Sequence, residues 1–150
     1  MENTTLDDIK DASVRSLLET SALARSKAYI PYSKFAVGAA LLATSGQVVT
    51  GCNVENVSFG LTICAERTAI VKAVSEGVTT FSAIAVSAVS KNEFIVSPCG
   101  ACRQVLAEFN ANLPVYLYNP ENGKVCITSM TVLLPAAVLP ANLNDALFGN

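Results

Sequence analysis

The sequence predicts a layered α/β domain built on a mixed sheet. Two observations carry this. Apolar residues recur at helical spacing near the N-terminus, and further along, extended apolar stretches alternate with stretches rich in helix formers. Glycines and prolines punctuate the boundaries between them. The 150 residues fit one domain, 1–150. A domain of this size buries roughly 70% of the surface its unfolded chain would expose, so its core needs no disulfide staples.

Each element has its own signal. Leu6, Ile9, Val14, Leu17, Leu18 and Ala24 lie at helical spacing, and Thr5 with Asp8 forms a capping-box-like start. Residues 5–28 therefore read as one amphipathic helix, ended by Pro31. Phe35 to Ala43 is a short apolar run, Ser45-Gly46 marks a turn, and Gln47 to Val54 resumes an extended pattern; together they read as a β-hairpin. Residues 56–63 read as a polar loop. Ala65 to Ser75 is rich in helix formers and meets Gly77, a C-cap. Phe81 to Val89 reads as a buried strand, and Pro98 opens a helix over Cys99 to Phe109. Val115 to Tyr118 and Lys124 to Thr128 read as paired strands around the turn Asn119 to Gly123.

Composition narrows the chemistry. About half the residues are apolar and 15% are charged, which favours extra burial between subunits. The net charge is −2 and no basic run occurs, which argues against nucleic acid and for a small, uncharged ligand. The chain contains no histidine, which removes Ser-His, Cys-His and His-metal chemistry together. The acidic, polar start is unlike a signal peptide. The apolar stretch from Val125 to Ala141 is broken by Pro135 and Pro140, so no membrane span is expected. In a cytoplasmic setting the five cysteines read as metal-binding, catalytic or plain buried thiols.

The segments richest in chemistry are Cys64-Ala65-Glu66-Arg67 and Pro98-Cys99-Gly100-Ala101-Cys102-Arg103. Both sit where a loop becomes a helix. Cys99 and Cys102 are three apart, so one ion can bridge both sulfurs on a first helical turn. Cys64 completes three thiolates and leaves a fourth tetrahedral position open, the pattern of a catalytic zinc. Helix N-termini offset the excess negative charge and lower the thiol pKa. Arg67 adds a full positive charge beside the sulfurs. Three alternatives stay open at this stage: ordinary buried cysteines, a thioredoxin-like redox pair, and a closed structural site with a fourth thiolate from Cys52 or Cys126.

A water activated by the metal needs a base, and a leaving amine needs an acid. Without histidine a carboxylate must do both, and Glu66 is the candidate. On a regular helix it stands about 200° from Cys64, so it reaches a metal only if that metal lies off the helix end. A closed pocket of low dielectric raises its pKa toward neutrality. The bland alternative is a glutamate that simply complements the helix dipole.

Thr62-Ile63-Cys64-Ala65-Glu66-Arg67-Thr68-Ala69 and Pro98-Cys99-Gly100-Ala101-Cys102-Arg103-Gln104 resemble the two zinc motifs of the small homotetrameric cytidine deaminases. Pro31-Tyr32-Ser33-Lys34-Phe35-Ala36-Val37-Gly38-Ala39-Ala40 and Gly51-Cys52-Asn53-Val54-Glu55-Asn56 extend the likeness, which spans about residues 10–135. It implies a three-layer α/β/α sandwich with a mixed five-stranded sheet. It implies hydrolytic deamination of cytidine and deoxycytidine by a zinc-activated water attacking C4, in pyrimidine salvage. Cys64, Cys99 and Cys102 would hold one zinc per subunit, and Glu66 would carry protons from water to N3 and then to ammonia. Phe35 would pack on the pyrimidine, Asn53 and Glu55 would bind the ribose 3′-hydroxyl, backbone at Ala65 would hold the base, and Arg67 would temper the thiolates. A homotetramer with active sites at subunit interfaces is implied as well.

Two departures stand out. Phe59 occupies a position where tyrosine is common in the family, and Val138 or Phe148 must replace a phenylalanine that closes a neighbouring pocket. Two other functions compete: a deaminase of another small cytosine compound such as blasticidin S, and a zinc domain without activity.

Overall fold

In a computed structural model, residues 1–91 and 95–143 are described. Six strands form one sheet in the order β1-β6-β5-β4-β2-β3, and the described helices cover both of its faces. The strands are β1 Glu2–Thr5, β2 Val37–Ala43, β3 Val48–Cys52, β4 Phe81–Ala88, β5 Pro114–Asn119 and β6 Lys124–Ser129. The helices are α1 Ala12–Ala24, α2 Ala65–Ser75, α3 Gly100–Phe109 and the short α4 Met130–Leu133. The β4–β5 pair is parallel and joined through α3; the other pairs are antiparallel. The three-layer mixed architecture is the expected one.

The N-terminus corrects the sequence reading. Residues 5–28 do not form one helix. Glu2–Thr5 instead pairs with β6, Glu2 opposite Ile127 and Thr5 opposite Lys124, which makes the sheet six-stranded rather than five-stranded. The Thr5 hydroxyl donates to Asp8 Oδ2 at 2.7 Å and caps only a 3-10 turn over Leu6–Asp8. The true helix start is Asp11, whose Oδ1 accepts from the amides of Ser13 (2.8 Å) and Val14 (3.3 Å). At its far end α1 tightens into a 3-10 turn over Arg25–Lys27.

Strand parity separates the two cores. Ala40, Ala83 and Ala85 face α1 through Leu17 and Leu18. Ala39, Leu41, Ile84 and Val86 face Ala69, Ile70 and Ala73 of α2 and Leu106 of α3. Small residues on the sheet let helices press close. A Cβ placed on Gly51 would lie 2.3 Å from the Ala65 carbonyl oxygen and 2.5 Å from the Ala69 nitrogen. Gly51 thus lets the first turn of α2 rest directly on β3, which sets where Cys64 stands. Among the described residues no helix is long and apolar enough to cross a membrane.

Candidate active site

Two helix starts converge. Cys64 is the N-cap of α2 and Cys99 the N-cap of α3; both have extended backbone, with ψ of 155° and 165°. Cys102 lies one turn into α3 and is fully buried. Cys64 Sγ is 3.9 Å from Cys99 Sγ, and the three sulfurs all lie within 4.8 Å of one another. A tetrahedral zinc with bonds of about 2.3 Å needs sulfurs about 3.8 Å apart, so the cluster fits the ion closely. Cys52 Sγ is directed instead to the Lys27 carbonyl oxygen at 3.3 Å, and Cys126 packs in the core on β6. Neither joins the three in a metal-ligating cluster among the described residues. The redox alternative fails too, because β4 ends at Ala88 and does not run into Cys99.

The electrostatics suit a cation. The Cys102 thiol, foremost, holds the Cys64 pKa down to about 5 against the effect of burial, with help from Arg67 and Cys99. Cys102 is pushed up for the same reason, since it donates to the Cys64 thiolate. Metal binding would displace the proton they share. Arg67 Nη2 lies 3.6 Å from Cys64 Sγ and 3.4 Å from the Thr62 carbonyl, while its buried Nε has no hydrogen-bond partner among the described residues. The bond to Cys64 raises the Arg67 pKa, so the guanidinium stays charged.

Glu66 is only 4% exposed. Burial, foremost, raises its carboxyl pKa to about 7, and the Cys64 charge adds to this, while its own backbone amide, the Cys102 thiol and Arg67 pull it down. The helical-wheel difficulty dissolves, because Cys64 is a cap with extended backbone rather than a helical residue. The Glu66 carboxyl accordingly interacts with both the Cys102 thiol and the Cys64 charge at that helix start.

Phe35 is half-exposed beside a cavity of about 660 Å³ lined also by Arg25, Ala36, Val89 and Val96. A somewhat larger cavity of about 740 Å³ lies along β1 and β6, and neither cavity is lined by Cys64, Glu66, Cys99 or Cys102. The chemistry, not the volume, picks the site. Asn53 Nδ2 donates to the Phe35 carbonyl at 2.8 Å, and its Oδ1 accepts from the Val37 amide at 2.9 Å. Asn53 therefore holds the loop that carries Phe35. Glu55 accepts from the Tyr32 amide at 2.9 Å and from the amide and hydroxyl of Ser33. The Ser33 hydroxyl, foremost, keeps the Glu55 carboxyl below its ordinary value.

Sequence reasoning gives Ser33 no role, yet its Oγ also accepts from the Phe35 amide at 3.0 Å and so links Glu55 to Phe35. The neighbouring Lys34, with φ of 58°, turns the chain between them. A short hydroxyl in a turn is the available signal, but its partner lies 22 residues away. Ala65 is fully buried at the first position of α2. Phe59 and Val138 are 73% and 65% exposed; Phe148 lies outside the described residues.

Three cysteine sulfurs with no fourth protein ligand among the described residues, beside a buried carboxylate, define the class: a zinc centre of the catalytic pattern on an α/β/α fold. Residues 12–118 match the cytidine and deoxycytidylate deaminase zinc-binding region. The chain is 53% identical over 134 residues to a cytidine deaminase of Sporosarcina psychrophila, covering 89% of this chain and 96% of that one. It is 50% identical over 130 residues to a cytidine deaminase of Halalkalibacterium halodurans, covering 86% and 96%. The crystal structure of a cytidine deaminase from Burkholderia pseudomallei superposes with a TM-score of 0.77 at 48% identity, covering 82% of this chain and 97% of that one. The chain belongs to the cytidine and deoxycytidylate deaminase zinc-binding family, and its cofactor is zinc.

Proposed function

We propose that the chain hydrolyses cytidine and deoxycytidine to uridine, deoxyuridine and ammonia in pyrimidine salvage. The observation that carries this reading is the buried Glu66 beside three sulfurs at converging helix starts. The named activity of relatives half identical over nearly the whole chain supports it.

Cys64, Cys99 and Cys102 hold the zinc. When bound, zinc supplies the acidification that brings a water molecule toward ionisation near neutral pH. Glu66 takes the proton from that water and delivers it to N3 of the pyrimidine. The water oxygen bonds to C4, and Glu66 then takes the second proton from that C4 hydroxyl and passes it to the departing amine as the C4–N4 bond breaks, so one water is consumed and one ammonia released. Its raised pKa suits a group that must both accept and donate near pH 7. Arg67 balances the thiolate charge. Phe35 covers the pyrimidine face, and backbone at Ala65 holds the base. Asn53 keeps one amide N–H beyond those it spends on its own loop, and Glu55 keeps acceptor capacity, for the ribose 3′-hydroxyl. A bound 3′-hydroxyl disfavours polynucleotides, as does the net charge of −2.

The active unit in this reading is a homotetramer with active sites at subunit interfaces, supported by exposed Val57, Phe59, Leu61 and Val138. The five free thiols fit a reducing cytoplasm.

The test incubates the zinc-loaded protein with cytidine, deoxycytidine and blasticidin S and measures ammonia. Release from the two nucleosides is expected. Full zinc occupancy with ammonia from blasticidin S alone, or from none of the three, overturns the reading.

A further inference from the structure

Three sulfurs hold the zinc, but the chain does not secure them equally. Cys102 sits inside α3 and is fully buried. Cys64 has Arg67 directly on its sulfur. Cys99 is exposed, lies outside the helix it caps, and follows the irregular segment 95–98. Its place is set by whatever holds the peptide units on either side of it.

Arg103 holds both. Its backbone amide donates to the Cys99 carbonyl at 2.9 Å, as the first helical hydrogen bond of α3. Its side chain turns back, and Nε donates to the Pro98 carbonyl at 2.7 Å. Nη2 reaches the Ser97 hydroxyl at 3.0 Å, and Nη1 reaches the Leu133 carbonyl, at the end of α4, at 2.8 Å. One planar guanidinium thus spans three acceptors in fixed directions, which a lysine ammonium on its flexible stem does not reproduce. The neighbouring Gln104 makes a different contact: Nε2 donates to the Val138 carbonyl at 2.8 Å, further along the C-terminal segment.

We propose that Arg103 is a positioning residue for the zinc ligand Cys99, locking the peptide units around it to α3 and anchoring them through Leu133 to α4. The inference rests on the zinc site and not on the choice of nucleoside. Partners that orient metal ligands typically change metal affinity about 10- to 100-fold when removed. The same scale is expected here.

The experiment follows zinc release from the full-length, zinc-loaded protein to a chromophoric chelator, well below the melting temperature of every variant. Arg103→Lys keeps the charge and the apolar stem but loses the fork; Arg103→Ala loses all three. Gln104→Ala loosens the C-terminal segment without touching residues 97–99. Both Arg103 variants are expected to release zinc about 10- to 100-fold faster than the parent. Gln104→Ala is expected to release it at the parental rate, even where its melting temperature falls. Should Arg103→Ala fail to fold, Arg103→Lys decides the matter alone. Parental release rates from folded Arg103 variants overturn the proposal. So does equal acceleration by Gln104→Ala, which would mean a general loosening. Because no substrate is used, failure here is distinct from failure to deaminate cytidine.

Discussion

Two properties of Glu66 act in the same direction. It is nearly excluded from solvent, and it stands beside sulfurs that carry negative charge. Both favour its protonated form, so it can hold a proton at neutral pH and still release it to a stronger base. Glu66→Gln keeps the shape and the burial but cannot exchange that proton. Its turnover of cytidine is expected to fall by at least about 10²- to 10⁴-fold, the scale of general acid–base catalysis. Its zinc content is expected to remain full, because Glu66 is not a ligand in this reading. Ammonia release and metal analysis on the same sample check both halves; turnover equal to the parent rejects the role. At this scale the sequence was informative. Motif spacing marked the three cysteines and the glutamate, because ligands at helix starts need only a few neighbours in the chain. It did not mark Ser33, whose partner Glu55 reaches it only through the fold.

Elements position these residues through contacts that leave little slack. Gly51 is one example, beneath the helix that carries Cys64 and Glu66. A methyl group there would press against backbone atoms of Ala65 and Ala69, which cannot rotate away as a side chain can. Gly51→Ala is expected to cost about 1–3 kcal/mol, the usual range for overpacking. It is expected to displace the first turn of α2, so zinc affinity falls along with the melting temperature. Denaturant unfolding and metal titration check the two effects. Asp11 controls the start of α1 by charge as well as by hydrogen bonds. The Ser13 hydroxyl, foremost, and then the amides of Val14 and Ser13 lower its pKa below the ordinary 3.8. A carboxyl depressed on folding contributes stability above its unfolded pKa, and that stability is lost as pH falls through the folded value. Asp11→Asn is therefore expected to lower the melting temperature near neutrality and to flatten the acid limb of the stability curve below about pH 4, where parent and variant converge. A melting-temperature series from pH 2 upward measures it; an unchanged acid limb rejects the argument. Legibility at this scale followed the apolar signal. The hairpin, α2 and α3 carry clear patterns, whereas β1 consists of Glu2, Asn3, Thr4 and Thr5, with no apolar alternation to read. Only its main-chain pairing with β6 makes it a strand.

The whole molecule leaves apolar side chains in water where the chain is otherwise well covered. Val57, Phe59 and Leu61 are 78%, 73% and 65% exposed, and they stand together on the loop between β3 and α2. The same loop leads directly into Cys64, so whatever covers it also borders the zinc site. Burying one such large side chain contributes roughly 1.5–3 kcal/mol, and several on one loop together favour association. Overall apolar content marks extra burial in the sequence without placing it on the chain. The ring of Phe59 already packs against Tyr32 with centroids 5.7 Å apart, beside the turn that Glu55 holds. Covering Phe59 by a neighbouring subunit would therefore stiffen the loop that presents Phe35. Phe59→Asp places a charge in that contact. If the parent is the proposed homotetramer, the variant is expected to sediment as smaller species in sedimentation velocity. It is expected to raise KM for cytidine more than it lowers kcat, because Glu66 and the three sulfurs are left in place. A parent protein that sediments as a single chain at full activity would remove the subunit interface from the reading and leave the zinc chemistry untouched.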